Sequence, residues 1–576
     1  MPRTRSGSYS GRLWIIPEPH EHEPIPGTPY PDFVTKLLRR RGVHDADMAR
    51  EYLFDSRPPA PDAWQLPGAV AAADRIEAAV HTGESIAVYG DFDVDGVTAT
   101  AILTEAIRAV GGHVTPYIPD RFSEGYGLHT AALERLRRER DVTLVITADC
   151  GITSIPEIEY AAELGQDVII LDHHSLPDHL PDAYATINPK TPGSDYSFDD
   201  LSSGGIAYRL APALLERFGR SVDAEQWLDL ATLSTIADVV PLRSENRWIV
   251  HEGLVAIRRT QRPGLRALLD VAGLWDRELD TDSVGYALAP RINAAGRLDH
   301  AMRALTLLIE TEPERAQQQA QELDRLNLQR RRLTLDAMTR ARERLAHEDA
   351  ESPVTFVGHA EIPSGIVGLI AGRLVEERYR PAVVWEEGPE FSRASCRSIP
   401  EFDIAAALRA CSDLLVKHGG HRMAAGFTAR TRDLPALKER LTGLAAEQLN
   451  DVMLRPRLEV DGQTPLDRVR APQVIWLQRL APFGEGNPPP TFVSANVTLT
   501  EARAVGADGS HLRLRLRAGE REWAGIGFGL GKVPCKAGDR VDLVWSLKRN
   551  GAYDAIELEV KDLAPAGTAG ATPGLR

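Results

Sequence analysis

The sequence predicts a multi-domain α/β protein, and three features of it do so. From about residue 68 to 300, short apolar runs alternate with helical stretches; 313–346 is a helix-forming segment without glycine or internal proline; and the runs from 455 onward alternate as β-strands do. The first feature argues for a parallel sheet with crossover helices, and the last for a small β-barrel.

Length and composition suit this architecture. The 576 residues are 43% hydrophobic and 26% charged, enough for several cores and about three or four domains. No apolar run approaches the ~20 residues that cross a bilayer. The opening MPRTRSGSYSGRLWIIPEP lacks the apolar stretch of a signal peptide, so a cytoplasmic protein is expected. Cys150, Cys396, Cys411 and Cys535 show no paired spacing for zinc or a disulfide framework, and they receive no role. A formal net charge of -15 argues against a surface coated in basic residues for duplex DNA, so any nucleic-acid site must be a local groove.

Taken in order, residues 1–60 hold the amphipathic FVTKLLRRRGVHDADMAREYLF and the proline-rich SRPPAPDAWQLP, which read as a helical extension and a linker. A first domain is expected over 61–312, where SIAVYG, VTLVITADCG and DVIILDHH supply strands and VTATAILTEAIRAV a helix. The helix at 313–346 would span ~50 Å at 1.5 Å per residue and could separate two lobes while fixing their relative position. A second mixed domain follows at 347–450. A barrel is expected over 455–562, from HLRLRLR, WAGIGF, RVDLVWSL and AIELEVKDL, and the small-residue tail 563–576 is expected to be disordered.

The chemistry lies at the strand ends. IAVY runs into Gly90-Asp91-Phe92-Asp93-Val94-Asp95-Gly96, and in an extended segment Asp91, Asp93 and Asp95 would converge on one side. Carboxylates that close repel unless cations neutralise them. A calcium EF-hand does not fit, because position 12 of that loop would be Ile102 and a strand precedes it. Asp149 follows VTLVIT, Asp172-His173-His174 follows VIIL, and Asp238 ends LATLSTIA. Singly, each has a bland reading as a turn or packing residue. Ligands of open α/β sheets gather beyond the carboxyl ends of the strands, so together they predict one crevice. Oxygen ligands with one or two imidazoles suit Mn²⁺ or Mg²⁺, and the lack of thiolates disfavours structural zinc. Two such ions about 4 Å apart could activate a water and stabilise phosphate charge, which is phosphodiester hydrolysis.

In order, GDFDVDG, TADCG, LDHH and STIADVVPL resemble the four motifs of the DHH phosphoesterase superfamily. RFSEGYGL, INPK, LSSGGIAYRL, PRINAAGRL, LNLQRRR, GGHRMAAGF and PFGEGNPPPTF resemble its branch of exonucleases specific for single-stranded DNA, across about residues 60 to 562. The resemblance implies a DHH catalytic domain, a connecting helix, a DHHA1 domain and an OB-fold barrel, with DNA passing between the lobes. It implies two divalent cations held by Asp93, Asp95, Asp149, His173 and Asp238, with Asp149 bridging them; Asp91 is a further ligand or a group that positions one. His174 would face the scissile phosphate, because adjacent residues of an extended segment point in opposite directions. Stepwise release of nucleoside 5′-monophosphates from a 5′ end, in DNA repair and recombination, is also implied. A single-strand-binding protein and a helicase would be the partners of a monomer. One departure stands at Pro363-Ser364-Gly365-Ile366-Val367-Gly368, where many relatives carry a histidine before the first glycine.

Several residues could hold the strand. Gly419-Gly420-His421 would let backbone amides approach a phosphate, with a plain turn as the alternative. Arg393, Ser395 and Arg397 share one face if extended, and Arg397 and Ser398, with Gly419 to His421, are candidates for recognising the terminal phosphate. Arg291, Asn293 and Arg297 offer further donors, with a helix N-terminus bearing exposed arginines as the alternative. In HLRLRLR the leucines build a core while Arg513, Arg515 and Arg517 face a strand or simply water; Tyr126 could stack on a base or pack. Two other readings compete. A phosphoesterase acting on a small phosphate compound or an oligoribonucleotide would carry much the same metal site, but the barrel and spacer favour a polymer. A non-catalytic replication scaffold of this fold should have lost ligands, and here the set is complete.

Overall fold

The structure is a computed structural model that describes residues 3–5, 7–18, 23–54, 56, 61–220, 223, 225–346, 352–450, 452, 454–506, 509–550 and 555–569. Its contacts divide the chain into two units, Met1–Asp324 with Arg457–Arg576, and Arg325–Pro456.

The larger unit is built on the predicted parallel sheet. Strands β1 (Ser85–Gly90), β2 (His113–Tyr117), β3 (Val142–Ala148), β4 (Asp167–Leu171) and β5 (Ala185–Ile187) lie in the order β2-β1-β3-β4-β5, every pair parallel. Such strands are covered on both faces, and Ile86 to Tyr89 are accordingly buried without a polar break. The chain leaves β1 for β2 on one side and returns to β3 on the other. The order therefore reverses between β1 and β3, which opens a crevice at their carboxyl ends. Helix α1 (Val94–Ala109) leaves that crevice and packs against α2 (Ser203–Arg217) and α3 (Leu228–Ala237). Gly204 permits the approach: a Cβ there would stand 2.5 Å from the Ser234 side chain and 3.1 Å from Thr98 Oγ1.

The same unit contains the predicted barrel. Phe492–Val505, His511–Ala518, Arg521–Gly527, Ala555–Pro565 and Arg540–Asn550 pair in that order, and the last returns to the first to close the cylinder. Leu512, Leu514 and Leu516 fill its core, as the alternation predicts. Two expectations fail here. The N-terminal region is not only helical: Leu13–Ile16 pairs in parallel with Arg457–Glu459, and Val34, Leu37 and Leu38 join the barrel core. Helix propensity does not report a strand partner so distant in sequence. The tail does not begin at 563, since the last strand runs to Pro565 and Ala569 is buried; residues 570–576 lie outside those described.

The long helix runs Pro313–Leu345. In the smaller unit, Lys417–His421, Ala424–Arg430, Phe391–Arg397, Ala382–Glu386 and Thr355–His359 form a mixed sheet in that order, antiparallel except for the last pair. Ala337, Met338 and Ala341 of the long helix pack with Ile366 and Ile370 in one cluster, while Leu437 and Leu441 join Ile404 and Leu408 in another.

Candidate metal centre

Three strand ends and one helix end build the centre. After β1 the chain turns sharply into α1, and a Cβ at Gly96 would meet the Asp91 backbone at 2.5 Å. Asp93 is the N-cap of α1, its Oδ1 accepting from Asp95 N at 2.9 Å and Gly96 N at 3.2 Å. Asp91, Asp93 and Asp95 therefore do not line one face of an extended segment. Asp95 lies in the first helical turn, where it accepts from Ser203 N at 2.8 Å, Gly204 N at 2.7 Å and Ser234 Oγ. The start of α2 thus holds a carboxylate against its exposed amides, as helix N-termini favour.

Asp149 follows β3 with φ of 70°, a left-handed backbone uncommon for a residue with a side chain. Its Oδ1 accepts from Ser203 Oγ at 3.0 Å. Asp172 follows β4, fully buried, and accepts from Ile152 N at 3.1 Å and His174 N at 3.0 Å, while its Oδ1 lies 2.7 Å from His174 Nδ1. Asp238 caps the end of α3. At the middle, His173 Nε2 lies 3.4 Å from Asp149 Oδ1, 3.4 Å from Asp238 Oδ2 and 3.7 Å from Asp95 Oδ2. The two histidine rings do not point in opposite directions. Their centroids are 4.7 Å apart, and His174 Nδ1 lies 3.9 Å from Asp149 Oδ1, because the Asp172 turn has replaced an extended backbone.

The charges are mutually unfavourable. Burial raises the Asp91 and Asp149 carboxyls well above their usual range, and neighbouring carboxylates raise them further. Burial, then Asp95 and Asp93, push Asp238 up to about 8. Burial opposes the His174 imidazolium, but Asp172 outweighs it and the ring is held at about 9.

Within the centre, the buried atoms His173 Nε2 and Asp91 Oδ1 have no hydrogen-bond partner, although buried polar atoms are normally satisfied. Ligand atoms of Asp91, Asp93 and Asp149, of Asp95, His173 and Asp238, and of Asp149, His173 and His174 form three sets, each within 4.8 Å. Crowded oxygens, imidazole and unpartnered atoms aimed inward fit divalent cations. No thiol contributes, since Cys150 Sγ is directed to the Tyr89 carbonyl.

The DNA candidates fare unevenly. Tyr126, 47% exposed, stands edge-on to His174 and Phe92 and donates to the Asp149 carbonyl at 3.4 Å. Gly296 brings the helix Ala289–Leu298 against Phe92, where a Cβ would lie 2.7 Å from the Phe92 carbonyl; Asn293 and Arg297 are half-buried on that helix. Arg291 is committed elsewhere, with Nε 2.9 Å from Asp324 and Nη1 on the Ala287 carbonyl. Arg393, Ser395 and Arg397 do share one strand face. Arg397 donates to Ser395 Oγ, and burial pushes its guanidinium down. Gly368 of the departing segment packs there, its place for a Cβ 3.1 Å from Ser395 Oγ. Ser398 is buried and its hydroxyl donates to the Phe402 carbonyl, so it is not a phosphate donor in this structure. Gly419, Gly420 and His421 are exposed on a paired strand rather than in a plain turn. Arg515 and Arg517 are exposed on the barrel and Arg513 is half-exposed; Arg515 pairs with Glu501 at 3.3 Å.

Sequence reasoning missed the groups that orient the ligands. Ser203, Gly204 and Ser234 hold Asp95 and Asp149. Lys190 Nζ donates to the His173 carbonyl at 2.5 Å and Asn188 Nδ2 to that of His174 at 3.0 Å. Asp172 had a signal in its place beside the two histidines; the others act through contacts that spacing does not reveal.

The chain matches the DHH family, N-terminal domain, over residues 85–235, the DHHA1 domain over 351–447 and the RecJ OB domain over 460–562. Crevice and domains together define a DHH-class phosphoesterase. It is 36% identical over 537 residues to the single-stranded-DNA-specific exonuclease RecJ of Bacillus subtilis, covering 92% of this chain and 68% of that one. The Dickeya dadantii protein of the same name is 31% identical, over 94% of this chain and 98% of its own. The chain belongs to the RecJ family. The crystal structure of RecJ in complex with Mn²⁺ from Thermus thermophilus superposes with a TM-score of 0.78 at 31% identity, over 92% of this chain and 75% of that one. The chain spans about two thirds of the length of the Bacillus and Thermus relatives, 68% and 65%.

Proposed function

We propose that this chain is a metal-dependent exonuclease that hydrolyses single-stranded DNA from the 5′ end to nucleoside 5′-monophosphates, in DNA repair and recombination. The observation that carries the reading is the buried, unpartnered His173 Nε2 ringed by Asp95, Asp149 and Asp238. Asp91, Asp93, Asp95, Asp149, His173 and Asp238 would hold two divalent cations, Mn²⁺ or Mg²⁺, and Asp149 belongs to two of the three ligand sets. Two such cations would offset the carboxylate charge and would supply Lewis acidity for activating a water and for stabilising the charge that develops on phosphate. Asp172 fixes His174 through its ring and backbone nitrogens and so holds that imidazole beside Asp149, where a phosphodiester would lie. Tyr126 borders the same crevice and limits how a nucleotide enters it.

Degradation of an end-labelled single strand, compared with blunt duplex, pyrophosphate and short RNA in Mn²⁺ or Mg²⁺, tests the reading. Release of 5′-labelled mononucleotide from the single strand alone is expected. Efficient cutting of a circular single strand, or first release from the 3′ end, defeats the direction. Preference for pyrophosphate or short RNA favours the small-substrate alternative. The exposed arginine face of the barrel should hold phosphates: replacing Arg513, Arg515 and Arg517 with alanine should flatten the salt dependence of binding by about 0.7 for each phosphate released from an arginine. The delivering partners are a single-strand-binding protein and a helicase, and the working form is a cytoplasmic monomer. Among the described residues, no helix is long and apolar enough to cross a membrane.

A further inference from the structure

We propose that the turn Gly484–Asn487, in the segment leading into the barrel, is a positioning element of the metal centre that holds the Asp238 loop in place. The inference rests on the metal-dependent reading above. Asp238 is fixed on one side by α3, through its amide to the Ser234 carbonyl at 3.0 Å. On the other side Val239 has φ of 58° and is 62% exposed. A β-branched residue rarely adopts that conformation, and it persists only where the surroundings over-determine it.

The second anchor comes from far along the chain. Leu242 N donates to the Glu485 carbonyl at 2.7 Å. A Cβ on Gly484 would strike Leu242 Cδ1 at 2.7 Å, and one on Gly486, whose φ is +69°, would lie 3.1 Å from Pro241 Cβ. The turn thus lies directly against Pro241 and Leu242: the left-handed backbone at Gly486 favours glycine, and a side chain at Gly484 would have to displace Leu242. The turn is itself pinned. Gly484 and Asn487 exchange backbone bonds of 3.0 and 3.1 Å. The buried Asn487 amide donates to the Leu480 and Pro482 carbonyls and accepts from Tyr52 Oη at 2.6 Å and Arg41 Nε at 2.9 Å. Arg247, on the helix Ser244–Arg259 that follows the loop, donates to the Ala481, Pro482 and Tyr52 carbonyls and lies over the Tyr52 ring. The loop is therefore clamped at both ends, and the Asp238 carboxylate, 3.4 Å from His173 Nε2, inherits that rigidity.

The test is Mn²⁺ affinity measured by calorimetry without DNA, on the full chain carrying Gly486→Val or Gly484→Ala. Each should weaken one of two Mn²⁺ sites by about tenfold, the scale for groups that orient a metal's ligands. The Mn²⁺ concentration for half-maximal degradation should rise by the same factor, with kcat at saturating Mn²⁺ and single-strand affinity in EDTA nearly unchanged. Adding Leu242→Ala to Gly484→Ala removes the atoms the new methyl strikes and should restore much of the affinity. Val560→Ala, in the barrel core beside Gly525, should lower the melting temperature and leave Mn²⁺ affinity alone. Wild-type Mn²⁺ affinity in either folded glycine variant, equal weakening by Val560→Ala, or no rescue by Leu242→Ala overturns the inference. Should Gly486→Val fail to fold, Gly484→Ala and its rescue decide. Sites lost in Asp149→Ala but intact in the turn variants leave the metal-dependent reading standing and remove only this inference. A wild-type chain that binds no Mn²⁺ removes both.

Discussion

The two ends of the parallel sheet handle charge in opposite ways. At the amino ends of the strands, Arg75 donates to Glu84 at 2.7 and 3.2 Å and to Asp167 at 2.7 Å, and Thr143 also donates to Glu84. The hydrogen bond from Arg75, opposed by burial and aided by Thr143, holds the Glu84 carboxyl down at about 2. At the carboxyl ends Asp91 and Asp149 are buried beside other carboxylates and raised, as is Asp238 at the neighbouring helix end, and only Asp172, paired with His174, is lowered against its burial. One end strengthens the fold, while the other spends stability on a site that only cations relieve. A carboxylate is a fastening or a function according to what stands opposite it.

Asp149→Asn breaks the contrast most severely. It should lower degradation by about three orders of magnitude, yet raise the melting temperature in EDTA, because a carboxyl whose ionised form is opposed by burial and by its neighbours is gone. A lower melting temperature in EDTA would show that the acids are not in conflict. Asp172→Asn keeps the shape but weakens its hold on His174, and a loss of about 10–100-fold in rate is expected, with Mn²⁺ binding less affected. Equal rates for this variant and the wild type would remove Asp172 from the machinery.

The pH dependence sharpens the comparison further. Asp238 is raised from 3.8 to about 8, so the metal-free fold takes up protons that the unfolded chain does not. Its stabilising contribution is full below about pH 4 and lost as pH rises through about 8. Melting in EDTA should therefore fall between pH 6 and 8.5. In saturating Mn²⁺ the decline should disappear or reverse, since ligands bind metal deprotonated. For Glu84 the sign is opposite: its contribution is present above 4.5 and lost as pH falls through about 2. Glu84→Gln should cost about 1 kcal/mol at pH 7, less as pH approaches 2, with degradation unchanged. Urea midpoints across that range check it.

Much of this was legible because of where buried strands place their ends. Ile86 to Tyr89 and Leu144 to Ile146 read as apolar runs since both sheet faces are covered, and the residues just after each run had to lie at the crevice. That placed Asp91, Asp149 and His173 without any knowledge of their contacts. What stayed hidden depends on partners far away in the chain. Ser203 and Ser234 reach Asp95 from other helices. Arg291 looked like a phosphate donor and instead serves Asp324. Spacing reports which faces residues share locally, and it is silent on which distant group takes their hydrogen bonds.

The pairing of Leu13–Ile16 with Arg457–Glu459 has a consequence during synthesis. The first strand emerges from the ribosome hundreds of residues before its partner, and at about 5–20 residues per second the wait is tens of seconds. Trp14, Ile16 and Leu38, all buried in the finished protein, must spend that interval with local neighbours alone, such as the Arg3–Arg5 strand beside Trp14 and Ile16, and without those from the barrel. The parallel sheet can assemble meanwhile, but the barrel cannot close against this segment until its own strands, from Phe492 onward, have been made. Nascent chains stalled before residue 457 should thus be bound by chaperones through their opening segment, and released once the last strands have formed.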